Sequence, residues 1–166
     1  MSGAGGRNIV LIGMPGAGKS TIGPLLSEQL GMEFTDIDDI IRSNRGEELR
    51  DIVKDHGFEY FLEIQERIIV SLRLSGHVLA TGGSVVKSPI SMSSLKENGI
   101  AIYLEIDFDT FEQRLAPGRR LARNGGQSLM EVYDERTPLY LEYADIVVRC
   151  SGRTVASIID EILEKV

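Results

Sequence analysis

Residues 13–20 read Gly-Met-Pro-Gly-Ala-Gly-Lys-Ser, and the run just before them, Asn8-Ile9-Val10-Leu11-Ile12, is short, apolar and β-branched. A run of that kind ending at a glycine is a strand buried on both faces, as in a parallel sheet. The octapeptide matches G-x-x-x-x-G-K-[ST], with Thr21 following. Its glycines let the main chain curl so that successive N–H groups point inward around an anion. A helix opening at Lys19-Ser20 would aim its unpaired N–H groups and positive dipole end at the same place. Gly13, Gly16, Ala17, Gly18, Lys19, Ser20 and Thr21 are therefore candidate nucleotide-binding residues. Lys19 brings charge to the β- and γ-phosphates, and Ser20 offers a hydroxyl to Mg²⁺. A dinucleotide fingerprint does not fit, because Thr21 stands where the last glycine of G-x-G-x-x-G would fall.

The rest of the chain alternates strands and helices. Ser20 to Leu30 has helical apolar spacing and stops at Gly31, with Pro24 expected in its first turn, where a missing N–H costs little. Met32–Asp36 reads as a second strand, Ile37–Ser43 as a short helix and Glu47–Asp55 as weakly helical. Phe58–Leu74 is the clearest amphipathic helix. His77–Thr81 reads as a strand ending at Gly82-Gly83, Ile100–Ile106 as another, then a helix over Asp109–Leu115. Helices over Leu129–Tyr143 and Thr154–Val166 flank a last strand, Ile146–Val148. No element is assigned between Gly83 and Ile100. The pattern predicts a mainly parallel sheet between helical layers in one domain, residues 1–166, with residues 1–7 as a loose tail.

Composition narrows the function. With 18 Lys+Arg against 25 Asp+Glu the net charge is −7, which disfavours an electrostatic grip on nucleic acid or anionic lipid. Apolar runs are too short to span a bilayer, no secretory signal is seen, and a lone Cys150 permits neither an internal disulfide nor a zinc cluster. A cytoplasmic protein is expected. No Asn-Lys-x-Asp guanine reader is present, and the chain is short for an ATPase motor. A compact kinase acting on a small molecule remains.

Asp36-Ile37-Asp38 leaves the carboxyl end of the second strand, where open α/β sheets bind ligands. One carboxylate can hold Mg²⁺ through water while the other accepts a hydrogen bond from an attacking hydroxyl; either could instead cap the following helix. Gly82-Gly83 could admit a ligand closely or form a plain tight turn. The basic stretch Arg119-Arg120-Leu121-Ala122-Arg123, flanked by Pro117-Gly118 and Gly125-Gly126, suits a lid over a triphosphate, about residues 117–126.

Taken in order, Gly-x-Pro-Gly-x-Gly-Lys-Ser-Thr-Ile-Gly, Asp36-Ile37-Asp38, Gly82-Gly83, and Arg136-Thr137-Pro138-Leu139-Tyr140 followed by Ala144-Asp145 resemble the shikimate kinase family. The resemblance covers nearly the whole chain. It implies an α/β fold of the P-loop nucleoside monophosphate kinase-like type: a five-stranded parallel sheet of order 2-3-1-4-5, a lid, and a substrate-binding helical region at about 37–74. It also implies transfer of the ATP γ-phosphoryl group to the 3-hydroxyl of shikimate, a step of aromatic amino-acid biosynthesis, with ATP and Mg²⁺ as cofactors. By resemblance Lys19, Asp38 and Arg119 are catalytic, with Arg120 taking the lid role if the register slips by one. Ser20 and Asp36 hold the metal, and Arg114 lies near the adenine. Asp38, residue 62, Gly82, Gly83 and Arg136 meet the substrate, with Arg136 gripping its carboxylate. A surface salt bridge of Arg136 with Asp134 or Glu135 is the plainer alternative. A monomer without nucleic-acid or membrane partners is expected.

Two departures stand out. Ser84 replaces the family's usual third glycine. Phe-Arg-x-x-Glu, whose arginine binds the shikimate carboxylate and whose glutamate steadies that arginine, is replaced by Phe61-Leu62-Glu63-Ile64-Gln65. Losing the arginine alone would leave a carboxylate unpaired at a cost of a few kcal/mol, so neutralising Leu62 and Gln65 together looks coordinated. Either Leu62 joins the apolar stripe while Arg136 alone secures the carboxylate, or the acceptor is another small hydroxy metabolite. A nucleoside monophosphate kinase and a non-catalytic nucleotide-binding regulator are further readings.

Overall fold

The computed structural model describes residues 6–115 and 121–166. Five strands, β1 (Asn8–Ile12), β2 (Glu33–Asp36), β3 (His77–Ala80), β4 (Gly99–Glu105) and β5 (Ile146–Arg149), form one parallel sheet in the order β2-β3-β1-β4-β5. The expected order is the observed one. β1 lies at the centre, every residue buried, as its unbroken apolar run requires.

Among the described residues eight α-helices connect and cover the strands: α1 (Lys19–Leu30), α2 (Ile37–Arg45), α3 (Leu49–His56), α4 (Phe58–Ser71), α5 (Pro89–Glu97), α6 (Phe108–Arg114), α7 (Leu129–Tyr143) and α8 (Val155–Lys165). The chain runs one way across the sheet through α1 and the other way through every later crossover. Right-handed connections then put α1 on the face opposite α4, α5 and α7, and α8 packs beside α1. The reversal of direction opens a crevice at the carboxyl ends of β1 and β3, where such sheets bind ligands. Ile22, Leu26, Phe61, Ile69, Met92, Phe111 and Ile162 fill the two interlayer spaces. Among the described residues no helix is long and apolar enough to cross a membrane.

Two details differ from expectation. Helix α1 begins at Lys19, so Pro24 falls in the second turn and withholds an N–H from the carbonyl of Ser20; both residues are exposed, and water can serve that carbonyl. Helix α5 was not foreseen. Ser88 caps it by accepting a hydrogen bond from the N–H of Ser91, Pro89 sits at its first position, and Met92 and Leu95 are its buried anchors. Pro138 does not end α7, whose start is held by a reciprocal Ser128–Glu131 capping box.

Candidate active site

The loop between β1 and α1 has the geometry its glycines forecast. Gly16 and Gly18 take φ of 83° and 107°, and Gly18 precedes α1 with no side chain capping the first turn. The first N–H groups of α1 therefore remain directed at whatever occupies the loop. The Lys19 ammonium, 7% exposed, donates to the Gly13 carbonyl and to the Met14 carbonyl at 3.0 Å. Arg114, from the end of α6, spans the loop's outer side and donates to the Gly16 carbonyl at 2.8 Å.

Next to the loop, Ser20 Oγ donates to Asp36 Oδ2 at 3.1 Å, while Asp36 Oδ1 accepts the N–H of Asp38 at 2.9 Å. Asp36 thus caps α2 and reaches Ser20 with its other oxygen. These two oxygen-bearing side chains suit a hard cation such as Mg²⁺. Among the described residues no three His, Cys, Asp or Glu side chains converge as a metal cluster. Asp38 is the second residue of α2. Its Oδ1 is buried without a hydrogen-bond partner among the described residues. Its carboxyl is pushed up to about 6, first by burial and then by the nearby Asp36 charge, with Lys19 and Arg42 partly offsetting both.

The loop and Asp38 open into one cavity of about 770 Å³. Gly82, Gly83 and Ser84 form part of its wall, and Arg136 part of another. Gly83 is there because nothing larger fits: a Cβ would lie 2.6 Å from Pro15 Cδ. Tyr140, buried and stacked on Tyr103, donates its hydroxyl to the Gly83 carbonyl. We expect Gly83→Ala to displace Pro15, cost about 1–3 kcal/mol of stability and raise KM for ATP, checked by urea unfolding and initial rates.

Arg136 is 1% exposed and donates to the Ala122 carbonyl, and its Nε has no partner among the described residues. A surface bridge to its neighbours does not form, since Glu135 instead pairs with Lys87 at 2.6 Å and accepts from Gln127 at 3.1 Å. Burial lowers the Arg136 pKa, yet a guanidinium keeps its proton.

Some expected residues lie elsewhere. Leu62 is not on the cavity wall: it packs against the core, because the face of α4 that meets the cavity carries Phe61. Gly13 is not on the wall either; its carbonyl holds Lys19, and its α-carbon abuts the Leu104 carbonyl. Arg119 and Arg120 lie outside the described residues. Other lining residues were missed: Arg50 and Lys54, one turn apart on α3, and Arg153, Val155 and Ile158 around the start of α8. The i, i+4 spacing of Arg50 and Lys54 was a readable signal. Arg153 is pinned by Glu161 at 2.6 Å, a contact between residues too far apart in sequence to be read as a pair.

Among the described residues the wall carries Lys19, Arg50, Lys54, Arg114, Arg136 and Arg153 with one carboxylate, Asp38, in a chain whose net charge is −7. That concentrates positive potential where anionic ligands would enter.

Comparison with known proteins agrees with this architecture. A shikimate kinase from Tolumonas auensis is 40% identical over 164 residues, covering 95% of each chain. One from Persephonella marina is 34% identical, covering 96% of this chain and 99% of its own. Among solved structures, shikimate kinase from Acinetobacter baumannii in complex with shikimate superposes with a TM-score of 0.85 at 29% identity, covering 96% of this chain and 92% of that one. A gluconokinase from Sinorhizobium meliloti, at 16% identity and a TM-score of 0.53, shares the fold alone. Since the shikimate kinase family model matches residues 15–166, the chain belongs to the shikimate kinase family.

Proposed function

We propose that the protein transfers the γ-phosphoryl group of ATP to the 3-hydroxyl of shikimate. The observation that carries this reading is Asp38, which lines the same cavity as the 13–20 loop and Arg136 and whose buried Oδ1 has no hydrogen-bond partner among the described residues. Phosphoryl transfer needs an alcohol held in line with a triphosphate, with charge stabilised as the bond passes over. The main-chain amides at the start of α1 and the Lys19 ammonium supply that charge. Asp38 orients the acceptor hydroxyl and takes its proton. Arg136 offers its unpaired Nε–H to the acceptor carboxylate.

Ser20 and Asp36 would hold Mg²⁺, which when bound neutralises charge on the phosphates. Arg114 flanks the nucleotide side. Arg119, within the basic stretch, is assigned the lid role. A single cytoplasmic domain acting as a monomer fits the chain's size and acidity.

With purified protein, ADP release from Mg-ATP should rise at least about 10-fold on adding shikimate, and chelation of the metal should abolish it. Turnover indifferent to shikimate rejects the acceptor. Leu62 and Gln65 favour one second reading, a different small hydroxy acid on the same machinery. A panel of hydroxy acids, sugars and nucleoside monophosphates in the same assay separates the two.

A further inference from the structure

Helix α4 brings a second polar group up against Gly82, a residue of the cavity wall. Gln65 is fully buried, at 0% exposed, and neither its Oε1 nor its Nε2 has a hydrogen-bond partner among the described residues. A buried carboxamide with both ends unsatisfied is costly, because each group gives up its hydrogen bonds to water and gains none in return. Native proteins rarely keep such groups unless a water, an ion or a ligand supplies the missing partner or the group has a functional role.

The location of Gln65 shows what that partner meets. Gly82 lines the cavity, and a Cβ built on it would lie 3.0 Å from Asp38 Oδ1 and 3.3 Å from Gln65 Oε1. The two side chains therefore converge on one face of Gly82, and glycine leaves room for both. One member of this pair is an acceptor-only carboxylate when ionised. The other is a neutral amide that can both donate and accept. Two neighbouring hydroxyls of a polyhydroxy acid match that arrangement, one on the carboxylate and the next on the amide. Leu62, packed away from the cavity, offers nothing polar there.

We infer that Gln65 is a specificity-determining residue that hydrogen-bonds the acceptor hydroxyl adjacent to the one held by Asp38. The inference rests on the proposed kinase reading and names the group that selects a vicinal diol. It sets stability against function. Replacing Gln65 by leucine removes the unsatisfied amide from the interior without emptying its volume, so the fold should not suffer, while the contact to the acceptor is lost.

The test compares the unsubstituted protein and Gln65→Leu on shikimate and on its 4-deoxy analogue, reading kcat/KM for each, KM for ATP, and the thermal midpoint without ligands. The unsubstituted protein should prefer shikimate by about 10- to 100-fold, the worth of one buried hydrogen bond. In Gln65→Leu that preference should fall to about 3-fold or less. The KM for ATP should stay within about twofold, and the thermal midpoint should hold or rise.

Equal discrimination by both proteins overturns the inference. So does a lowered midpoint with both KM values rising together, the mark of a merely structural residue. If the unsubstituted protein releases no ADP in response to shikimate, the kinase reading fails and the inference with it. Normal turnover with discrimination retained in Gln65→Leu sinks the inference alone.

Discussion

Replacing Lys19 with methionine is expected to lower kcat by about 10²–10³-fold, the usual loss when a preorganised donor to transition-state charge is removed. The reason lies in where the ammonium sits. It is buried at the first position of α1 and held by the carbonyls of Gly13 and Met14. The geometry that presents it to a phosphate is therefore built into the loop. Methionine keeps the length of the side chain, so the loop should survive and the thermal midpoint should change little. Rates of ADP release and circular dichroism melting check both halves. Arginine should not rescue the rate fully, because its planar fork replaces a compact point charge in a site shaped by main-chain amides.

The second large effect is expected at Asp38. Asp38→Asn should reduce kcat by about 10²-fold or more, since the amide cannot take a proton from the acceptor hydroxyl. Stability should move the other way. The Asp38 carboxyl is pushed up to about 6 by burial and by Asp36, so its folded pKa lies above its unfolded one. The stability linked to it is complete below the unfolded value of 3.8 and is lost as pH rises through about 6. At pH 8 the wild-type chain buries a charge that the asparagine variant does not. Asp38→Asn should accordingly melt higher than wild type at pH 8 in nucleotide-free and metal-free buffer. The gap should close as pH falls from about 7 to about 4. Parallel melting curves across pH, with no convergence, would refute the assignment.

Much of this was legible in the residues before any coordinates. The run at Asn8–Ile12 and the glycines that follow left one local answer, a buried strand turning into a phosphate-binding loop. Short apolar runs and helical spacing placed the other strands and most helices within a residue or two. What escaped was of two kinds. Helix α5 had its marks, Ser88 before Pro89, but its serine-rich middle blurs the apolar stripe that Met92 and Leu95 supply. Pro24 was placed against a helix start one residue too late.

The site divides in the same way. Spacing identified the loop, Asp36 and Asp38, because adjacency in sequence is adjacency in space there. It could not tell which face of α4 turns toward the ligand. That depends on how α4 packs against α3 and the segment after β3, and it decides that Phe61 lines the cavity and Gln65 abuts Gly82 of its wall, while Leu62 turns to the core. The inward turn of Arg136 is a tertiary fact of the same sort. Its neighbour Glu135 is drawn off by Lys87, 48 residues away in sequence.

Gly83 and Pro15 sit so close that the Gly82-Gly83 wall and the 13–20 loop abut within the one cavity. Whatever free energy one occupant sends across that seam, the other must return in equal measure, since coupling between two equilibria is reciprocal. Inhibitor discovery against such a protein is therefore best run with the triphosphate pocket filled, because compounds that read only the empty acceptor side will have their affinities misjudged by the size of that exchange.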